Sequence, residues 1–145
     1  MIIFIYGKDT YRSRQYLKKI TDKFKADRDP SGYNTIVLDC MDAADAKRAL
    51  TELMTVPFLA EKRMVVLKNL ISCKDAGLKS TLQEKIESSG IPENNILVVH
   101  ESVDKYKTKV DKALFELLQK EKYTEHFKEL NGAEMHGWMM QQIQE

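Results

Sequence analysis

Four short apolar runs recur along the sequence, and a segment with the spacing of an amphipathic helix follows each of them. The runs are IIFIY at residues 2–6, TIVL at 35–38, MVVL at 64–67 and ILVV at 96–99. Continuous apolar runs of this length are typical of strands that are buried on both faces. Strands that alternate with helices predict a mostly parallel sheet with right-handed crossovers. We therefore expect a three-layer α/β fold.

The helices are predicted by apolar residues that recur every three or four positions. The first is expected to start at Asp9 or Thr10, either of which can cap it, and to run to about Ala26. The others are expected at residues 43–54, 78–88 and 110–119 and from about residue 131, with a short fifth strand at residues 123–127. The last helix carries Trp138 and Met139 without an evident partner. We therefore expect one domain over residues 1–130 and the truncated start of a second, helical domain over residues 131–145.

Composition and charge narrow the classes of function. The 145 residues include 23 basic and 22 acidic ones, for a formal net charge of +1, so the chain lacks the basic excess of a nucleic-acid-binding domain. Lys18, Lys19 and Lys23 are interpreted as the solvated face of the first helix. No apolar run is long enough to span a membrane, which favours a cytoplasmic protein. Cys40 and Cys73 form no CxxC motif, so no metal site is expected.

A phosphate-binding loop is suggested by Gly7-Lys8-Asp9-Thr10, which joins the first strand to the first helix. A Walker A loop requires two glycines around a longer cradle, and here one glycine is followed by a carboxylate where phosphate charge would lie. The third strand leads into Lys68, where a magnesium-binding acid would be needed. We therefore expect a vestigial nucleotide loop and no cofactor. A divergent nucleotide-binding α/β enzyme that uses Gly7, Lys8 and Thr10 is the alternative.

The segment between the second helix and the third strand is unusually apolar for a connection. Val56, Pro57, Phe58 and Leu59 lie there in sequence, and we call them the apolar wedge. One interpretation is that these side chains fold back and complete the core. The other is that they project from the surface and fill a pocket on a partner, since aromatic and aliphatic anchors on loops carry much of the binding energy of interfaces.

The sequence resembles the family of the bacterial DNA polymerase III delta subunit along its whole length. The central stretch, PFLAEKRMVVLKNL at residues 57–70, is the most specific part of the resemblance. The opening IFIYGKDTY at residues 3–11 with Arg14, the stretch from Asp104-Lys105 to Phe115, and LNGAE at residues 130–134 with Trp138 are similar to weaker family patterns. Residues 105–109 and Glu125-His126-Phe127 depart from those patterns.

The resemblance implies a RecA-like, AAA+-type domain that has lost nucleotide binding, followed by a lid-like domain. It implies a non-catalytic clamp-loader subunit that binds the sliding clamp and helps to open it during replication. In that family an apolar element before the third strand contacts the clamp, which here corresponds to Phe58 and Leu59 with Val56 and Pro57 beside them. ATP hydrolysis would belong to other clamp-loader subunits, and DNA would be met only through the assembled loader.

Overall fold

The computed structural model describes residues 1–144, which form five strands and five helices in strict alternation. The strands are β1 (Ile2–Tyr6), β2 (Thr35–Asp39), β3 (Arg63–Lys68), β4 (Asn95–Glu101) and β5 (Tyr123–His126). The helices are α1 (Thr10–Arg28), α2 (Ala43–Met54), α3 (Ala76–Glu87), α4 (Lys109–Gln119) and α5 (Gly132–Gln144). Because every strand is followed by a helix, each strand can pair with its neighbours in parallel.

The strands form one parallel sheet in the order β2-β3-β4-β1-β5. In the centre of the sheet, Phe4 on β1 lies beside Val99 on β4. All the strands run in the same direction, so their starts form one edge, the amino edge, and their ends form the opposite one, the carboxyl edge. The loops that precede the strands therefore lie far from the loops that follow them.

Apolar side chains bury both faces of the sheet. One face carries the larger cluster, with Phe4, Leu67 and Val99 in contact with the inward sides of α2, α3 and α4. The other face carries a smaller cluster, in which Ile5 and Val66 meet α1. The domain therefore has three layers, with helices packed against each face of the sheet. The predicted three-layer α/β fold is confirmed.

Local chemistry explains where several elements begin and end. The Asp75 carboxylate accepts a hydrogen bond from the backbone N–H of Leu78, so α3 begins at Ala76, two residues before the predicted start. Strand β4 continues past its apolar run into His100 and Glu101, because both residues still pair with β1. Among the described residues, no helix combines the length and apolar character needed to cross a membrane.

Helix α5 is the least buried helix of the described chain. None of its residues is fully buried, and Met139 is 52% exposed. It contacts the domain through Trp138, whose ring meets that of Tyr11 on α1 edge to face at 5.5 Å. The division of the chain near residue 130 stays a prediction, and residue 145 lies outside the described residues.

Candidate functional site

The apolar wedge lies at the amino edge of the sheet, in the connection from α2 to β3. Helix α2 ends at Met54, and Thr55 already has extended backbone angles. Pro57 has no N–H to donate to a helix and disfavours helical geometry in the residue before it, so the helix cannot run on through the wedge. Strand β3 begins at Arg63. The wedge therefore lies at the opposite edge of the sheet from the predicted nucleotide loop.

The wedge side chains point into solvent. Val56 is 73% exposed, Phe58 60% and Leu59 91%, while Pro57 is half-buried. The interpretation that these side chains fold back to complete the core is wrong, because Val56, Phe58 and Leu59 are exposed and no wedge residue belongs to either core cluster. Three large apolar side chains next to one another on a surface mark an interaction site more often than a passive surface.

Buried polar side chains fasten both ends of this connection. Before the wedge, the Asn95 side-chain amide donates to the carbonyls of Leu53 (2.6 Å) and Thr55 (2.9 Å). Within the wedge, the side chain of Asn34 accepts from the Phe58 N–H at 2.6 Å and donates to the Phe58 carbonyl at 2.7 Å. The wedge is thus an exposed apolar surface on a backbone that is held from behind.

A partly buried ion pair links the end of α2 to the start of β3. The Arg63 guanidinium is 4% exposed, pairs with the Glu52 carboxylate and donates a second hydrogen bond to the Glu52 backbone carbonyl at 3.1 Å. An Arg that satisfies a carboxylate and a helix-end carbonyl together gives geometric precision as well as energy. Both flanks of the wedge are therefore held by side-chain contacts.

The predicted nucleotide loop lies at the carboxyl edge, where part of the chain itself fills it. Gly7 is buried with φ of +132°, and a β-carbon there would lie 2.2 Å from the carbonyl oxygen of Phe127. The Phe127 N–H donates to the Tyr6 carbonyl, and the Phe127 carbonyl accepts from the Asp9 N–H. The glycine in this chain serves close packing against the segment after β5, and it leaves no open cradle.

The start of α1 is occupied by a protein carboxylate. One oxygen of Asp9 accepts from the Arg12 backbone N–H at 3.0 Å and the other pairs with the Arg12 side chain at 2.8 Å. The positive end of the helix, which would attract a phosphate, is already matched by this negative group. Lys8 is exposed, and Thr10 is the first residue of the helix. Of the two residues predicted to cap this helix, Asp9 and Thr10, Asp9 is the cap.

The ends of β2, β3 and β4 are linked by hydrogen bonds of the protein's own. Asp39 accepts from the side chain of Asn69 at 3.0 Å, as expected of a loop-capping residue. Glu101 is fully buried and accepts from the Ile71 N–H, the Ser72 hydroxyl and the Tyr106 hydroxyl at 2.9–3.0 Å. Burial raises the pKa of Glu101 despite these three donors. These carboxylates hold loops in place.

A serine and a histidine also meet at this edge. Ser13 Oγ lies 2.9 Å from His100 Nε2, and the two residues are 0% and 4% exposed. Burial, with smaller effects of Lys68 and Arg14, lowers the pKa of His100 to about 4. A nucleophile needs access for its substrate, and this pair has none, so it packs α1 against β4. Among residues 1–144, no three His, Cys, Asp or Glu side chains converge as a metal site would require.

The fold and this arrangement define an α/β domain whose nucleotide-loop position is filled by its own chain and whose exposed apolar residues lie at the opposite edge. Residues 3–128 match the family described as DNA polymerase III, delta subunit. The chain belongs to this family, and the recognition made from its sequence is confirmed. A comparison with curated proteins gives no match.

Two solved structures are similar to the chain. The Bacillus subtilis DNA clamp loader delta protein superposes with a TM-score of 0.69 at 25% identity, over 97% of this chain and 42% of that one. A DNA polymerase III gamma subunit-related protein from Thermotoga maritima superposes with a TM-score of 0.56 at 12% identity, over 97% of this chain and 45% of that one, and shows the likeness of fold alone. The chain thus spans less than half the length of either.

Sequence reasoning missed the residues that hold the wedge. Asn34 and Asn95 are polar residues beside loop signals, and nothing in their local sequence indicates a contact with a segment 24 or 40 residues away. The sequence Asp29-Pro30-Ser31-Gly32 indicates a loop before Asn34 but not what the loop contacts. The nearest available clue was that Asn34 and Asn95 each stand directly before or at the start of an apolar run, where a polar side chain must find a partner.

Proposed function

We propose that this chain is a non-catalytic clamp-loader domain that binds the sliding clamp through the apolar wedge and helps to open the ring for loading onto DNA. The observation that carries the proposal is the exposure of Phe58 and Leu59 on a backbone fixed from within the fold. Membership of the delta-subunit family and the likeness to a clamp loader delta protein support the same role.

The proposed mechanism is differential binding. Phe58 and Leu59 enter an apolar pocket on the clamp, and Val56 and Pro57 cover its rim. A ligand shifts an equilibrium between two states only by its difference in affinity for them, so the domain opens the clamp to the extent that it binds the open ring more tightly. Other clamp-loader subunits supply ATP hydrolysis, and DNA is met through the assembled loader. Residues 131–144 lead into the lid-like domain.

The proposal is tested by measuring the affinity of the chain for the sliding clamp of the same organism, with the wild type and with Phe58→Ala/Leu59→Ala. Truncation of two central anchors is expected to weaken binding by roughly thirtyfold or more, about 2 kcal/mol. Since both side chains are exposed, the variant is expected to unfold at the same temperature as the wild type. Met41→Ala/Val110→Ala removes two exposed apolar side chains from the carboxyl edge and serves as the matched control.

The outcomes separate the claims. Loss of binding in the wedge variant alone supports the role and the site together. Equal binding by all three proteins leaves the clamp as partner and removes the wedge from the interface. A folded wild-type chain that does not bind the clamp contradicts the proposed function.

A further inference from the structure

The wedge is held in place by a side chain that cannot itself touch a partner. Asn34 is 1% exposed, and its amide forms hydrogen bonds with both the N–H and the carbonyl of Phe58. This pair of bonds imitates the pairing of one strand with the next, with a side chain in place of the second backbone. It fixes the backbone of Phe58, and with it the direction in which the ring leaves the surface.

Asn34 is in turn fixed by a buried carboxylate. Asp29 is 2% exposed and accepts from the Asn34 backbone N–H at 3.0 Å, and from the Thr35 hydroxyl at 2.7 Å. The Asn34 carbonyl accepts from the Met64 N–H at 2.8 Å, which ties Asn34 to the start of strand β3. A charge-assisted network of this kind leaves Asn34 little freedom to follow a moving loop.

Leu59 has an unusual backbone conformation next to this anchor. Its φ is +51°, in the left-handed region that a residue with a β-carbon seldom adopts. Such a conformation persists only where the surroundings impose it, and it is concentrated at sites of function. Here it turns the Leu59 side chain outward to 91% exposure, directly after the residue that Asn34 holds.

The neighbour of Asn34 extends the apolar surface. Tyr33 is 69% exposed, and its ring meets the Phe58 ring edge to face with the centroids 6.2 Å apart. Phe58 therefore has a second aromatic side chain beside it that comes from a different loop. Tyrosine at the margin of an apolar patch offers contact area and a hydroxyl at small entropic cost.

We propose that the turn between α1 and β2 is the second half of the clamp-binding element, in which Asn34 positions the wedge and Tyr33 makes a contact of its own. The inference rests on the proposed function and takes the sliding clamp as the occupant of this surface. A backbone set in its bound conformation before binding loses less entropy on association, so Asn34 raises affinity without touching the clamp.

Affinity measurements test the two roles. Asn34→Ala is expected to weaken clamp binding about tenfold and Tyr33→Ala about fivefold. Thr108→Ala removes the cap of α4, whose hydroxyl accepts from the Asp111 N–H, and so destabilises the fold at the opposite edge. This control is expected to bind the clamp like the wild type. Equal weakening by Thr108→Ala would mean that lost stability alone explains the effect, and would overturn the inference.

A double-mutant cycle separates positioning from general stability. In the Phe58→Ala/Leu59→Ala background, Asn34→Ala is expected to cause no further loss of affinity, because the side chains that it positions are gone. A further tenfold loss in that background overturns the role of Asn34. Wild-type affinity for Tyr33→Ala, an exposed position where folding is not in question, overturns the role of Tyr33.

Hydrogen exchange of the unbound chain tests the positioning role of Asn34 without the clamp. Amide hydrogen exchange of Phe58 is expected to accelerate at least tenfold in Asn34→Ala, while amides in the centre of β4 exchange at wild-type rates. Unchanged exchange at Phe58 contradicts the positioning role even if the clamp binds. A different result is slow exchange at Phe58 that depends on Asn34, in a wild-type chain that does not bind the clamp. That result contradicts the proposed function, and the inference that rests on it fails as well.

Discussion

At Gly7 the backbone turns into α1 with a positive φ and passes so close to Phe127 that no side chain fits. A phosphate loop needs glycine so that a ligand can approach the backbone. In this chain the approaching group is a carbonyl of the protein. Glycine is therefore required at this position by close packing within the protein and not by a bound phosphate, a difference that the sequence alone does not show.

Gly7→Ala is expected to lower the free energy of unfolding by about 2 kcal/mol or more, since it adds a clash to an unfavourable φ. Urea unfolding measures the change. Gly32→Ala is the matched control, because Gly32 also has a positive φ (+79°) but nothing within 4 Å of the added carbon. If the two substitutions cost the same, the contact with Phe127 does not matter.

His100 gives the fold a pH dependence. A base whose pKa falls from 6.5 to about 4 on folding holds fewer protons in the folded state than in the unfolded one. His100 therefore destabilises the fold little above pH 6.5 and increasingly as the pH falls towards 4. At pH 4 the free energy of unfolding is expected to be lower by up to about 3 kcal/mol.

Urea unfolding of the wild type and of His100→Gln between pH 7.5 and pH 4.5 checks this expectation. Gln is neutral throughout, so the variant is expected to lose less stability on acidification than the wild type does. Parallel pH profiles for the two proteins would show that His100 takes up its proton equally well in both states.

Among the strands and helices, those with a clear apolar pattern, continuous in the strands and periodic in the helices, were predictable from the sequence. The runs at residues 2–6 and 35–38 became β1 and β2 with nearly the predicted bounds. The end of β4 was missed because His100 and Glu101 are polar, and pairing with β1 buries them regardless. The order of the strands depends on contacts between distant segments, which no local pattern reports.

The exposed character of the wedge was likewise open in the sequence. Apolar residues at positions 56–59 are compatible with a core or with a surface. Which of the two they form depends on whether the rest of the chain already completes the core. The core includes Leu53 and Val65, both 0% exposed, on either side of the wedge in the sequence, and it does not include the wedge itself. The anchoring of the wedge could not be anticipated, because it joins Asn34 to a residue 24 positions later.

The start of α1 allows a test of the alternative that this chain is a nucleotide-binding enzyme. Since Asp9 caps this helix and Phe127 covers Gly7, we expect no saturable binding of ATP with magnesium at millimolar concentrations. Equilibrium dialysis with labelled ATP measures it. Asp9→Asn removes the charge but keeps a capping oxygen, and is expected not to restore binding. Saturable binding by the wild type would revive the enzyme that uses Gly7, Lys8 and Thr10.

The molecule as a whole has two edges with different character. At the carboxyl edge, where open α/β sheets usually bind ligands, Asp9, Asp39 and Glu101 form hydrogen bonds with other groups of the chain. At the amino edge, a fixed loop presents apolar side chains to solvent. This arrangement suits the clamp-binding role proposed above, in which an exposed apolar loop fills a pocket on a partner.

The most direct test of this account is a hydrogen-exchange footprint of the chain with and without the sliding clamp of the same organism, its proposed partner. The account predicts slower exchange in the clamp-bound chain at residues 55–60 and at Tyr33, with residues 7–10 unchanged. Slower exchange at residues 7–10 and an unchanged wedge would contradict the account, since the clamp would then bind the carboxyl edge.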